Sequence, residues 1–168
     1  MVRKAWVAGV VLAALATALL SSFFLGVPYL VLTNDQRGAL LFRAQVQEGE
    51  TFSVSYIHSV NLSPVTEIYQ IQGGEIVLIA LEFEAFGAGM PTDLEPGQVL
   101  IHLPQGGMRI EGFDRVIDDL RYLIGHGADL VLHLGPDQIP LNTLDGAGQS
   151  VQFAFRRLNI WQRSNFTL

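Results

Sequence analysis

Twenty-eight consecutive residues without a charge, Ala5 to Leu32, impose the first constraint on what this chain can become. Only Thr17, Ser21, Ser22 and Pro28 interrupt the apolar character of the run, with Gly9 and Gly26 as weaker points. A helix crossing the hydrocarbon of a bilayer needs about 20 such residues, so the run is long enough to span. Arg3 and Lys4 precede it and Asp35 is the first charge after it, a bias that keeps the N-terminus in the cytoplasm and carries the rest across. The sequence therefore predicts a cytoplasmic stub over 1–4, a single-pass anchor in the cytoplasmic membrane over 5–32, and an extracytoplasmic, periplasmic domain over 33–168. A cleaved signal peptide is the competing expectation, because Ala16-Thr17-Ala18 has the small-x-small form of a cleavage site. Cutting there would leave Leu19, Leu20, Phe23, Phe24 and Leu25 on a new tail, which favours retention as a signal-anchor.

Past Leu32 the apolar period becomes two, the mark of half-buried strands. Thr51 to His58 places Phe52, Val54, Tyr56 and His58 on one face, and Val65 to Gln72 places Val65, Glu67, Tyr69 and Ile71 together. Gly73-Gly74 supplies two residues able to take positive φ in a tight hairpin turn, and Ile76 to Phe86 follows as a long strand. These three segments predict an antiparallel meander. Further strands are expected at Ala39 to Gln47, Val99 to Leu103, Met108 to Gly112, Leu130 to Leu134 and Val151 to Arg157, with glycine or proline in almost every gap. From Phe113 to Ile124 the spacing also fits a helical stripe, so that segment reads either as a short helix or as a strand near Leu120 to Ile124. The expected fold class is all-β, an antiparallel sandwich or barrel behind one N-terminal transmembrane helix.

Charge excludes some partners. After the apolar run the chain holds 8 basic and 16 acidic residues, 8 − 16 = −8, and its one lysine is Lys4. Such a surface offers phosphate little to grip, so nucleic acid is not an expected partner. No cysteine is present, which excludes a disulfide scaffold.

Tyr56-Ile-His58-Ser59-Val60, then Pro64-Val65-Thr-Glu67, then Phe86-Gly87-Ala88-Gly89-Met90-Pro91 resemble the signature of a bacterial family known as domain of unknown function 1850. Leu132-His-Leu-Gly and Ile139-Pro-Leu141 extend the likeness more loosely toward the C-terminus. The resemblance implies a small extracytoplasmic or membrane-tethered protein whose gene commonly lies beside those of TAXI-type TRAP transporters. It therefore implies an accessory role, with the TRAP permease or the TAXI solute-binding protein as partner. The family carries no agreed activity, so the resemblance assigns no catalytic residue and no cofactor.

Pairing by pattern gives a candidate site. A two-residue Gly73-Gly74 turn sets Ile71 opposite Ile76, Tyr69 opposite Leu78, Glu67 opposite Ala80 and Val65 opposite Glu82. Matching Val54 with Ile71 and Tyr56 with Tyr69 sets His58 opposite Glu67. His58, Glu67 and Glu82 are then expected at one end of one apolar face, beside Tyr56 and Tyr69. Glu84 and the loop bearing Gly87, Gly89 and Pro91 lie at the same end as a lid. Such a cluster could bind a ligand or partner, or a cation, or simply satisfy itself and hold the Ser59–Pro64 loop. An acid/base enzyme, a hydrolase or isomerase using Glu67 and Glu82 with His58 tuning them, is the alternative function. His58 and Ser59 are neighbours on a strand and point to opposite faces, which disfavours a nucleophile–base pair, and no Gly-x-Ser-x-Gly elbow occurs. His102, His126 and His133 show no ligand spacing. Arg156, Arg157 and Arg163, with Trp161 and Phe166, read either as a headgroup contact or as a solubilising tail.

Overall fold

A computed structural model describes residues 7, 9–12, 17, 26–84, 86, 93–127, 129–159 and 162–163. Eleven strands follow in chain order: β1 Val27–Asn34, β2 Leu40–Gln45, β3 Thr51–Ile57, β4 Pro64–Gln72, β5 Glu75–Phe83, β6 Val99–His102, β7 Met108–Val116, β8 Leu120–Leu123, β9 Val131–Leu134, β10 Asp137–Pro140 and β11 Ser150–Leu158. They form a four-stranded sheet, β2-β1-β11-β8, and a seven-stranded sheet, β10-β9-β3-β4-β5-β7-β6. Every pairing is antiparallel. The expected all-β sandwich is therefore present, and β3, β4 and β5 are the expected meander.

Leu30, Leu32, Val151 and Phe153 of the smaller sheet meet Phe52, Val54, Tyr69, Ile71 and Leu132 of the larger in one core. Beyond its reach, Val65, Leu81, Phe83 and Ile110 form a satellite cluster on the β4–β5–β7 half of the larger sheet.

The expected anchor boundary at Leu32 needs correction. Val27 to Leu32 is strand, paired on one side with β11 and on the other with β2. Leu30 and Leu32 have no exposed surface, and each contributes about 2 kcal/mol through burial. An uncharged apolar run looks the same whether it enters a bilayer or the buried middle of a sheet. Ahead of it, Val7, Gly9 to Leu12 and Thr17 are helical; the other residues of 1–25 lie outside the described ones. Among the described residues no helix is long and apolar enough to cross a membrane.

Phe113 to Ile124 contains no helix: β7 continues to Val116 and β8 starts at Leu120, at the edge of the other sheet. The chain changes sheets across Ile117 to Asp119, so its apolar residues serve two layers and mimic a helical stripe. The long fifth strand ends at Phe83, short of Phe86.

Two register departures move the expected site. In the β3–β4 hairpin Val54 faces Glu67 and Tyr56 faces Val65, four residues from the expected pairing. Pro64 opens β4 opposite Ile57, a first-strand position where a missing N–H is tolerated. The offset is even, so every side chain keeps its face. In the β4–β5 hairpin Ile71–Ile76 and Tyr69–Leu78 pair as expected, but Ile79 is then an extra residue, so Glu67 faces Leu81 and Thr66 faces Glu82. This bulge is matched on β7, where Leu78 pairs with Arg115 and Ala80 with Glu111. Gly112 lies in that irregular stretch with φ of 86°, and a Cβ there would run into the backbone of Gly97.

Candidate functional site

Glu67 projects from the middle of β4 toward the interior, flanked in the sheet by Val54 and Leu81. Side-chain alternation puts Tyr69 two residues along the same face, and Tyr56 approaches diagonally from β3. Tyr69 donates to Glu67 Oε2 at 2.9 Å and Tyr56 to Oε1 at 3.4 Å. A third phenol, Tyr122, reaches across from β8 and donates to the same carboxylate. The Tyr69 and Tyr122 oxygens are 2.8 Å apart. Both sheets thus converge on one carboxylate.

Aromatic packing fixes these hydroxyls. Tyr69 stacks on Phe52 with centroids 5.2 Å apart, Tyr122 meets Phe153 edge-on at 5.6 Å, and Tyr56 is tilted against Tyr122 at 6.1 Å. Burial, followed by the negative charge of Glu67, raises the Tyr56 and Tyr69 phenols well above the usual tyrosine range. Burial raises Tyr122 too, reinforced by Tyr69 and Glu67. The phenols therefore keep their protons and remain donors. Among the described residues no cation pairs with Glu67.

A cleft of about 380 Å³ opens beside this cluster, lined by Tyr56, Ile57, His58, Tyr122, Leu123 and Leu130 among others. His58 lies one residue past the end of β3, in a loop closed by its own N–H to Ser63 O at 2.9 Å and by Leu62 N–H to its carbonyl at 2.9 Å. The Val60 and Asn61 amides donate to its Nδ1 at 3.3 and 3.4 Å. Accepting from backbone amides leaves the ring proton on Nε2, so the imidazole can donate to whatever occupies the cleft.

The expected trio is not assembled. His58 and Glu67 are not opposite one another, and no hydrogen bond joins them. Glu82 is on the outer face of the larger sheet because of the Ile79 bulge, and pairs with Arg109 at 3.3 Å. Arg109 also meets Glu111 at 2.9 Å. Glu82 and Glu84 line a separate groove of about 140 Å³ with Thr66 and Gly107. Gly87, Gly89 and Pro91, the expected lid, lie outside the described residues. Tyr56 and Tyr69 do accompany Glu67 as expected.

Tyr122 is the member of this cluster that pattern reading misses. Its segment is the one open between helix and strand, and its approach from the opposite sheet leaves no local signal. The alternation Leu120-Arg-Tyr-Leu123 is the available hint. Among the described residues no group of three or more His, Cys, Asp or Glu side chains is placed to hold a metal ion.

The family profile described as domain of unknown function (DUF1850) matches residues 52–141, more than half of the chain. The chain belongs to this family. The matched segment runs from β3 to the start of the 3-10 turn at Leu141–Thr143, and holds Tyr56, His58, Glu67, Tyr69 and Tyr122. The strands β1, β2 and β11 fall outside it. No curated protein and no solved structure matches the chain.

Proposed function

We propose that this chain is a membrane-tethered, extracytoplasmic binding module, an accessory of a TAXI-type TRAP uptake system, that holds a small ligand or a partner's side chain in the His58 cleft. The observation that carries the reading is the open cleft whose polar wall, Tyr56 and Tyr122, is braced from behind by Glu67. Small-ligand pockets range over roughly 300–1,000 Å³, and this one falls inside that range. Its mixture of Ile57, Leu123 and Leu130 with one imidazole donor suits a group with an apolar body and a hydrogen-bond acceptor.

The tether rests on the 21 uncharged residues from Ala5 to Leu25 that precede the strand domain, still about the length that spans a bilayer. The transporter link rests on the company that family members keep. The acid/base enzyme reading is less well supported, because Glu67 and Glu82 are on opposite faces of one sheet and Arg109 occupies Glu82.

The test is capture of the TRAP permease or TAXI binding protein by tagged full-length chain from detergent-solubilised membranes. Wild type retains one of them, and His58→Ala or Tyr122→Phe loses it. Retention of neither by the wild type, with no small molecule released on denaturing the purified chain, overturns the binding reading. Release of the chain from membranes by alkaline carbonate overturns the tether.

A further inference from the structure

The basic residues of the strand domain are unevenly placed. Arg37, Arg109 and Arg121 are each paired with carboxylates. Arg115 belongs to β7 of the larger sheet. The other four, Arg43, Arg156, Arg157 and Arg163, have no carboxylate partner among the described residues, and three of them gather on the outer face of the smaller sheet. Leu30 and Leu32 point into the core, so Tyr29 and Val31 point outward, and their ladder partners Arg156 and Arg43 point outward with them. Arg43 donates to the Arg163 carbonyl at 3.0 Å, which brings residues 162–163 onto the same face.

The position of this face matters as much as its charge. Arg157 pairs with Pro28, at the end of β1 where the chain leaves the apolar run. Gly26 is pressed so closely on Arg157 that an added Cβ would be 2.8 Å from its carbonyl carbon. No slack separates the run from the arginines. At the other end of this sheet Asp35 and Asp119 hold Arg121. Beside the arginines is a groove of about 280 Å³ containing Val31, Ala154 and Leu158, with Arg156 and Arg157 also lining it.

We propose that this arginine face seats on the anionic phospholipid surface from which the chain emerges. The proposal rests on the tethered reading above. Without these four arginines the strand domain would carry 4 basic and 16 acidic residues, 4 − 16 = −12, a body that an anionic surface repels. At that end the four arginines offset the glutamates nearest them, Glu75, which shares a groove with Arg156, and Glu48 and Glu50 of the β2–β3 connection. Guanidinium groups suit this role because each presents several donors to a phosphate. The groove takes the glycerol region while Arg156, which lines it from the outward row, holds the phosphate. The interaction holds the strand domain in one orientation, with the His58 cleft presented consistently.

Full-length chain is reconstituted into vesicles of phosphatidylcholine, alone or mixed with phosphatidylglycerol. The chain has no cysteine, so Gln45→Cys, in the outward row beside Tyr29, accepts a single dye, and Gln105→Cys labels the β6–β7 turn of the other sheet. Energy transfer to a headgroup dye reads the approach of each. Phosphatidylglycerol is expected to raise transfer from the Gln45 position and not from the Gln105 position, and high salt to abolish the rise. An arginine near an anionic surface is worth about fivefold in the seating equilibrium, so R156Q/R157Q shifts it by about twenty-fivefold. Transfer from the Gln45 position that is independent of lipid charge and of salt while the arginines are intact overturns the proposal, including the case in which the face instead binds an acidic protein, and needs no arginine variant to fold. Failure of the tether alone is separately visible: carbonate then releases the chain, while its flotation with phosphatidylglycerol vesicles still reports on the arginines.

Discussion

Two carboxylates in this molecule sit in polar networks of opposite character. Asp145 is surrounded by groups that account for it completely. Asn34, with no exposed surface, donates to it at 2.7 Å, Arg37 grips both its oxygens at 2.9 and 2.8 Å, and the Gly146 amide adds a fourth bond at 2.9 Å. Asn34 in turn donates to Gln149 and accepts from the Gln36 and Arg37 amides. The network staples the β1–β2 turn to the segment before β11. Glu67 has three phenols and, among the described residues, no cation, and two of those phenols line an open cleft. A network that closes on itself is explained by stability. One whose charge is left without a counter-ion beside an opening is suited to recognising something else.

The largest expected effect tests the closed network. Asn34→Ala leaves two backbone amides and a carboxylate short of partners, and should cost about 3 kcal/mol, read from thermal unfolding of the detergent-solubilised chain. A loss under about 1 kcal/mol would remove the contrast. Next, Glu67→Gln keeps the shape and removes the charge. Stability should change by about 1 kcal/mol at most, whereas partner capture should fall about tenfold, equivalent to about 1.4 kcal/mol. The reverse pattern, unfolding with capture intact in the folded fraction, would make Glu67 a structural residue like Asp145.

The two networks should also fail at opposite ends of the pH scale. Asn34, the Gly146 amide and Arg37 hold the Asp145 carboxyl below its usual range. A depressed carboxyl contributes stability that is complete above the unfolded value, about 3.9, and is lost as pH falls through the folded one. Asp145→Asn should therefore flatten the acid limb of a stability titration. The three phenols are raised, so the fold keeps their protons after the unfolded chain has begun to release its own. Stability is level below about pH 10 and declines above it. Tyr122→Phe should make that alkaline decline shallower; an unchanged slope would mean that the cluster is not coupled to folding. The smallest effect is expected of Arg37→Gln. Its side chain is 59% exposed, and such pairs contribute about 0.2–1 kcal/mol.

Face assignments are readable in the sequence and pairings are not. Phe52, Val54, Tyr56, Glu67, Tyr69 and Ile71 all lie on the faces that alternation gives them, because a one-residue slip would expose the whole set. A four-residue slip changes no face, so alternation cannot distinguish Tyr56 opposite Tyr69 from Tyr56 opposite Val65. Glu82 fails for another reason. The extra residue at Ile79 reverses every face after it, and the Gly112 irregularity that accommodates it is on a different strand. Tyr122 is illegible because inter-sheet contacts follow from how two layers stack, which no single segment encodes. Val27 to Leu32 is misassigned because a strand buried on both flanks has the composition of a membrane segment.

The pairing of β1 with β11 joins Val27 to Leu158, nearly the full length of the domain. The smaller sheet cannot close around its centre until the last strand has been synthesised, and loop closure over such a span is slow. Until then Leu30, Val31 and Leu32 form an apolar strand with an unsatisfied side. Whatever shields that segment during biogenesis must let go of it last, which makes the C-terminal strand the step that commits the polypeptide to its final shape.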